Sequence, residues 1–353
     1  MTLDQATPIR TGEQLDLQRL EDWLQLHLPA EGPLTVEQFP SGHSNLTYLL
    51  KVGDQDFVLR RPPFGNQVKS AHDMSREYRV LSKLCEVYKP APRPYVFCDD
   101  RNIIGDEFYV MERRRGLVLR RNNTPKVIAS DPAAMNRLGM SLIDNLAVLH
   151  TLDYEAAGLG DVGKPSGYTE RQVVGWNERY RRARTDDWPE VDALGQWLQD
   201  NLPPDSSPAL VHNDYKYDNI MLSVHDLTTI VAVFDWEMAT IGNPLMDLGT
   251  SLSYWVQADD PADIRRLVFG PTMLPGSPTR QELAARYAAV TGAALPDMLY
   301  YYCFGIFKLA GILQQIYSRF ARGMTKDTRF AEMNLSVAAL GRAGMKAVES
   351  GRY

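Results

Sequence analysis

The chain has 353 residues, more than the ~250–300 at which a single hydrophobic core stops growing, so two lobes or domains are expected. Its 44% hydrophobic content is ordinary for a globular protein, and no apolar run approaches the ~20 residues of a membrane span. A net charge of −6 argues against nucleic acid as the main partner, and the three scattered cysteines, Cys85, Cys98 and Cys303, make no metal pattern and suit a reducing cytoplasm.

The N-terminal stretch has no basic segment followed by an apolar one, so no export signal is expected. Leu15, Leu17, Leu20, Trp23, Leu24 and Leu28 then fall near helical spacing and predict an amphipathic helix over 12–28, with His27 a surface or packing residue. Residues 34–39, 46–52 and 57–60 read as strands, joined by the loop 40–45 and a Gly53-Asp54 turn. The small residues Ser41, Gly42, His43, Ser44 and Asn45 allow backbone N–H groups to approach phosphate oxygens, although a plain hairpin turn explains them equally well. There is no G-x-x-x-x-G-K-[ST], which disfavours a P-loop nucleotidase. A helix over 72–84 carries Glu77; Pro90, Pro92 and Pro94 break it, and strands at 95–99 and 108–111 follow.

From there the pattern turns helical. Residues 131–150 place Leu138, Leu142, Leu146 and Leu149 on one face behind the start signal Asp131-Pro132, and His150 reads as a packed helix-end residue. The next helix, 168–184, carries Arg171, Arg179, Arg181, Arg182 and Arg184. With Arg113, Arg114, Arg115, Arg120 and Arg121 these form either a solvated basic face or an attractor for an anionic acceptor. Three apolar runs, 209–211, 220–222 and 230–234, are strand-length and buried. His212-Asn213-Asp214 ends the first, Asn219 precedes the second, and Asp235-Trp236-Glu237 ends the third. Further helices are expected at 251–255, 263–269 and 280–291, with a Pro/Gly loop over 270–279. Residues 297–320 are apolar nearly all round and predict a buried helix, in which Lys308 and Arg319 either snorkel to solvent or contact substrate.

Carboxylates held at the ends of buried strands suit phosphoryl transfer, where one accepts a hydroxyl proton while a second, with an amide oxygen, holds Mg²⁺ against a triphosphate. The alternative is a carboxylate-rich loop pair that only caps strands, or the rim of a metal-dependent hydrolase. His212-Asn213-Asp214-Tyr215-Lys216-Tyr217-Asp218-Asn219 fits the H-x-D-x-x-x-x-N catalytic loop, with Asp235 after the following hairpin. Gly242-Asn243-Pro244-Leu245-Met246-Asp247-Leu248-Gly249 fits G-D/N-P-x-x-D-L. With these motifs the chain resembles the aminoglycoside phosphotransferase and choline kinase families and, more distantly, the protein kinases. The V-L-R-R-P-P around Arg60 and the G-Y-x-x-R-Q-V-x-x-W from Gly167 resemble the kinase-like domain associated with acyl-CoA dehydrogenases.

The resemblance implies an α+β, bilobal, protein-kinase-like fold: a small antiparallel-sheet lobe over 1–112 and a larger, mostly helical lobe over 113–353, enclosing Mg-ATP. It places Ser41 to Asn45 on the phosphates and makes Asp214 the base, with Lys216 neutralising the transferring group. Asn219 and Asp235 become the Mg²⁺ ligands, His212 and Asp247 braces, and Glu237 an occupant of a second metal position or a structural residue. Backbone groups at Glu112 and Arg114 receive adenine. The family's third-strand lysine is replaced by Arg60, which can still hold phosphate and pair with Glu77. Arg181, Arg182, Lys308 and Arg319 are candidate acceptor contacts. The implied activity is transfer of the γ-phosphate of ATP to a small-molecule hydroxyl, such as a hydroxyacyl-CoA or an aminoglycoside-like compound. The alternative is a nucleotide-binding regulator with no transfer.

Overall fold

The computed structural model describes residues 5–40, 45–64, 73–120, 123–293, 295 and 297–353. Two units cluster separately: Met1–Val118 with Glu155–Leu159 and Ile220–Ala239, and Leu119–Tyr154 with Gly160–Asn219 and Thr240–Tyr353.

The first unit is built on an antiparallel sheet. Its elements are α1 (Leu17–His27), β1 (Leu34–Gln38), β2 (Leu46–Val52), β3 (Gln55–Arg61), α2 (Met74–Leu84), β4 (Pro94–Cys98), α3 (Arg101–Ile104) and β5 (Phe108–Glu112), with strand order β1-β2-β3-β5-β4. Strand alternation sorts the side chains. Tyr48, Leu50 and Val52 of β2, Phe57 and Leu59 of β3, and Phe108 and Val110 of β5 join Leu20 and Leu24 of α1 in one core. Arg60, one residue beyond Leu59, therefore points to the opposite face, opposite Tyr109 in the β5 register. Arg61 returns to the core side, where its guanidinium donates to the Ile104 carbonyl at 2.7 Å and lies over Phe64. Consecutive arginines thus serve different faces. The same unit includes an antiparallel hairpin of Ile220–Leu222 and Ile230–Val233, whose Met221 and Ala232 pack with Val118 in a small second core.

The second unit is mostly helical: α4 (Lys126–Ala129), α5 (Pro132–His150), α6 (Tyr168–Ala183), α7 (Pro189–Asp200), α8 (Pro244–Ser253), α9 (Arg280–Thr291), α10 (Leu299–Ala321) and α11 (Met333–Ser350). The strand β6 (Ala209–Val211) pairs antiparallel with Thr240–Gly242. As its all-round apolarity requires, α10 is central, packing on α6, α7, α8 and α11. Its crossing with α8 is close because glycines meet there: a Cβ on Gly249 would overlap the Tyr301 backbone, and one on Gly305 the Gly249 carbonyl.

Several expectations need correction. The helix expected at 251–255 begins earlier, at Pro244, because Asn243 caps it by accepting from the Leu245 amide at 2.9 Å and proline fits the first helical position. Residues 263–269 give only the single 3₁₀ turn Ile264–Arg266. Lys308 does not snorkel; it is 1% exposed. Helices α7 and α11 lie where no element was anticipated. No helix of the described residues is long and apolar enough to cross a membrane.

Candidate active site

In the first unit, β3 and α2 bring Arg60 to Glu77. The guanidinium Nε lies 3.3 Å from Glu77 Oε2, and Nη2 donates to Asp235 Oδ1 at 3.0 Å. Glu77 also accepts the Trp236 amide at 3.1 Å, which fixes the turn after the hairpin. That turn needs fixing, since Asp235 has φ 68°, a left-handed conformation that costs roughly 1–3 kcal/mol even though Asp tolerates it better than most. Trp236, 1% exposed, anchors the turn by donating from its indole to the Val233 carbonyl. Asn45, at the start of β2, donates to Glu237 Oε2 at 2.9 Å. Two carboxylates, Glu77 and Asp235, thus share one guanidinium, and the charge of Arg60 also acts on Glu237. Burial first, and then the charge of Asp235, push Glu237 up to about 8, and the same two causes raise Glu77. The cluster is short of positive charge.

In the second unit, β6 delivers His212, Asn213 and Asp214. Asp247, fully buried in the first turn of α8, accepts the amides of His212 at 2.7 Å and Asn213 at 2.8 Å, and takes a third bond from His150 Nε2 at 3.1 Å. Burial alone would raise Asp247, but the hydrogen bonds and charges of the two histidines and the backbone outweigh it and hold the carboxyl low. Asn213 has φ 68°, so this loop, like the Asp235 turn, is left-handed at a non-glycine residue. The Tyr168 hydroxyl donates to its side chain at 2.9 Å, and Lys308 Nζ donates to its carbonyl at 2.5 Å.

This scaffold presents a heavily bonded Asp214. Lys216 Nζ reaches both carboxylate oxygens at 2.6 and 2.7 Å, the Tyr254 hydroxyl donates to Oδ1 at 2.7 Å, and Asn219 Nδ2 donates to Oδ2 at 2.9 Å. Burial pushes the carboxyl up, yet the Lys216 charge and these donors prevail and keep it ionised below the usual carboxylate range. Asn219 also donates to the Asp214 carbonyl at 2.8 Å. Its side-chain nitrogen is thus committed twice to Asp214, and an amide oxygen is a ligand type that hard cations accept. Among the described residues no three His, Cys, Asp or Glu side chains form a ready cage.

Residues 35–285 match the Phosphotransferase enzyme family, well over half of the chain. The chain belongs to that family. A solved structure described as a candidate aminoglycoside phosphotransferase, from Ralstonia eutropha JMP134, shares 31% identity at a TM-score of 0.81, covering 96% of this chain and 99% of that one. Choline kinase from Cryptosporidium parvum shares the fold at a TM-score of 0.65 and 12% identity, covering 95% and 97%. The expected α+β, protein-kinase-like fold is therefore the fold found. Acyl-CoA dehydrogenase family member 11 of Rattus norvegicus is 37% identical over 330 residues, 88% of this chain and 40% of that protein. The Gallus gallus protein of the same name is 34% identical, over 97% and 44%. The chain spans about two-fifths of these relatives' length.

Within this chain, Arg60, Glu77 and Asp235 meet in one unit, and His212, Asp214, Lys216, Asn219 and Asp247 meet in the other. Ser41, Gly42, His43, Ser44 and Arg121 lie outside the described residues. Glu112 gives its amide to the Arg93 carbonyl at 2.8 Å and its carboxylate to Arg114 at 2.7 Å. Arg181, Arg182 and Arg319 are exposed, and Arg182 pairs with Glu178 at 2.7 Å. Much of the arginine-rich face is internally satisfied: Arg184 pairs with Asp187 and Asp192, and Arg171 donates to the carbonyls of Lys164 and Ser166. Sequence reasoning missed Tyr254, Tyr168 and the role of His150. Tyr254 stands 40 residues beyond Asp214, and a hydroxyl at that distance carries no spacing signal.

Proposed function

We propose that this protein moves the γ-phosphoryl group of ATP, held with Mg²⁺, to the hydroxyl of a small molecule, with Asp214 as the base. The observation that carries the proposal is the half-buried Asp214 carboxylate, held low against burial by the charge and hydrogen bonds of Lys216 and by the Tyr254 hydroxyl. The acceptor's hydroxyl donates to the Asp214 carboxylate and is oriented by it. As its oxygen bonds to the γ-phosphorus, the bond from that phosphorus to the β,γ-bridging oxygen breaks, ADP departs, and the hydroxyl proton passes to Asp214. Most of the rate comes from positioning and charge rather than from covalent chemistry. Lys216 lies beside the base to offset charge on the transferring group. Asn219 and Asp235 are the protein's ligands for the metal, and Arg60, fixed by Glu77, serves the phosphates. When bound, Mg²⁺ neutralises charge on the β- and γ-phosphate oxygens; the charge-deficient cluster around Asp235 supports its presence.

For the acceptor we favour a hydroxyacyl-CoA, ahead of an aminoglycoside-like compound, because the motifs at Arg60 and Gly167 and the relatives named as acyl-CoA dehydrogenase family members point the same way. The coenzyme's phosphates would be drawn by the exposed Arg181 and Arg182. The three free cysteines suit a cytoplasmic enzyme. The test is ADP release from Mg-ATP with hydroxyacyl-CoA thioesters, aminoglycosides and amino alcohols as acceptors, alongside thermal shift. Acceptor-dependent ADP release is expected. A thermal shift with Mg-ATP and no turnover with any acceptor would make the protein a nucleotide-binding regulator instead.

A further inference from the structure

We propose that Lys308 is a positioning residue, which holds the Asp214 loop in shape through the carbonyl of Asn213 and releases it on losing its proton. The inference rests on Asp214 being the base of the proposed transfer. Lys308 stands midway along α10, and its ammonium is 2.5 Å from the Asn213 oxygen. Asn213 is left-handed and lies two residues past β6, whose ladder ends at Val211. A buried carbonyl without a donor is costly, and an ammonium is a stronger donor than a neutral group. Asp247 holds the amides of His212 and Asn213, and Tyr168 holds the Asn213 side chain. The carbonyl immediately before Asp214 is the one that Lys308 controls.

The surroundings make this donor titratable. Burial pulls Lys308 down to about 8; Asp214 from the loop after β6 and Asp247 from α8 pull it up, while Lys216 from the same loop and Arg179 from α6 push it down. The Trp176 ring of α6 lies 5.8 Å away. Between pH 7 and 9 the charged fraction of such a group falls from about 0.9 to about 0.1, and a donor of three protons becomes a weak donor of two. A lysine that merely filled space in α10 would not link this proton to the shape of the loop.

The test compares amide hydrogen exchange across residues 212–219 in the full-length wild type and in Lys308→Met, at pH 7 and pH 9, each corrected with amides of α9. At pH 7 the variant's loop is expected to exchange about tenfold faster than the wild type's, with α9 unchanged; at pH 9 the two should converge. Lys308→Arg, which keeps its charge throughout, should show no such pH dependence. In turnover assays Lys308→Met should lower kcat by on the order of 10–100-fold with little change in KM for the nucleotide, and should lack the wild type's alkaline loss near pH 8. Equal protection at pH 7, or a wild-type loop whose corrected protection does not fall by pH 9, would overturn the inference. If the exchange results hold while the wild type transfers phosphate to no acceptor, the proposed function fails and the positioning role stands.

Discussion

Asp214 and Glu237 are both half-buried acids, and their surroundings send them opposite ways. Asp214 is met by an ammonium, a hydroxyl and an amide, and stays ionised; Glu237 meets the charge of two further carboxylates that share Arg60, and is pushed up to about 8. The sign of each pH effect follows. Glu237 has a folded value above its unfolded one near 4.5, so its contribution is present at low pH and is lost as pH rises between about 4.5 and 8. Glu237→Gln should therefore raise the melting temperature at pH 8 and leave it nearly unchanged at pH 4.5, and added Mg²⁺ should shrink the gain. A scan with no such divergence would refute the charge-deficient cluster. Asp247 runs the other way: its depressed value gives stability that is present above the unfolded value and is lost as pH falls through the folded one. Asp247→Asn keeps the shape but removes a charged acceptor from two backbone amides and His150, and should cost about 3 kcal/mol in denaturant unfolding. Loss of well under 1 kcal/mol would show that the brace is weaker than its geometry.

At the level of elements, the sequence pattern located most of what places the site. Strand-length runs bounded by a loop, the Gly53-Asp54 turn and the prolines marked β2, β3 and β5, and Asp131-Pro132 marked the start of α5, where the Asp131 side chain does accept the Ala133 amide. The Gly242-Asn243-Pro244 run was legible as a motif but not as the cap of α8, since a turn and a helix start use the same residues. What was not legible is three-dimensional. The left-handed backbone at Asn213 and Asp235 follows from restraints supplied by Asp247, Tyr168, Lys308 and Glu77, which lie far away in sequence. Likewise the opposite duties of Arg60 and Arg61 follow from the sheet register, not from the RR pair itself. The α8–α10 crossing gives a test at this scale. Gly249→Ala sets a methyl against the Tyr301 backbone two residues after Asp247, and should cost about 1–3 kcal/mol, with turnover falling as α8 shifts. An unaltered unfolding midpoint would mean that the helices do not depend on this close approach.

For the whole chain, the residues of the proposed site divide between the two units, with Arg60, Glu77, Asp235 and Glu237 in one and Asp214, Lys216, Asn219 and Asp247 in the other. The backbone passes directly from the second unit to the first between Asn219 and Ile220. A nucleotide bound only by the folded protein stabilises it by mass action, about 2.7 kcal/mol at a hundredfold excess over Kd, so the thermal shift with Mg-ATP should grow with ligand concentration. Asp235→Ala should abolish the dependence of that shift on Mg²⁺. Arg181→Glu combined with Arg182→Glu should raise KM for a coenzyme A thioester and leave nucleotide KM alone, and an unchanged acceptor KM would remove these arginines from the acceptor site.

The most direct measurement of the central claim is a single-turnover transfer of the labelled γ-phosphate, comparing wild type with Asp214→Asn while Mg-ATP binding is followed by calorimetry. The account predicts label on the acceptor hydroxyl with the wild type, and a rate lower by about 10²–10⁴ in the variant with nucleotide affinity retained. Transfer at an undiminished rate without the Asp214 carboxylate would contradict it.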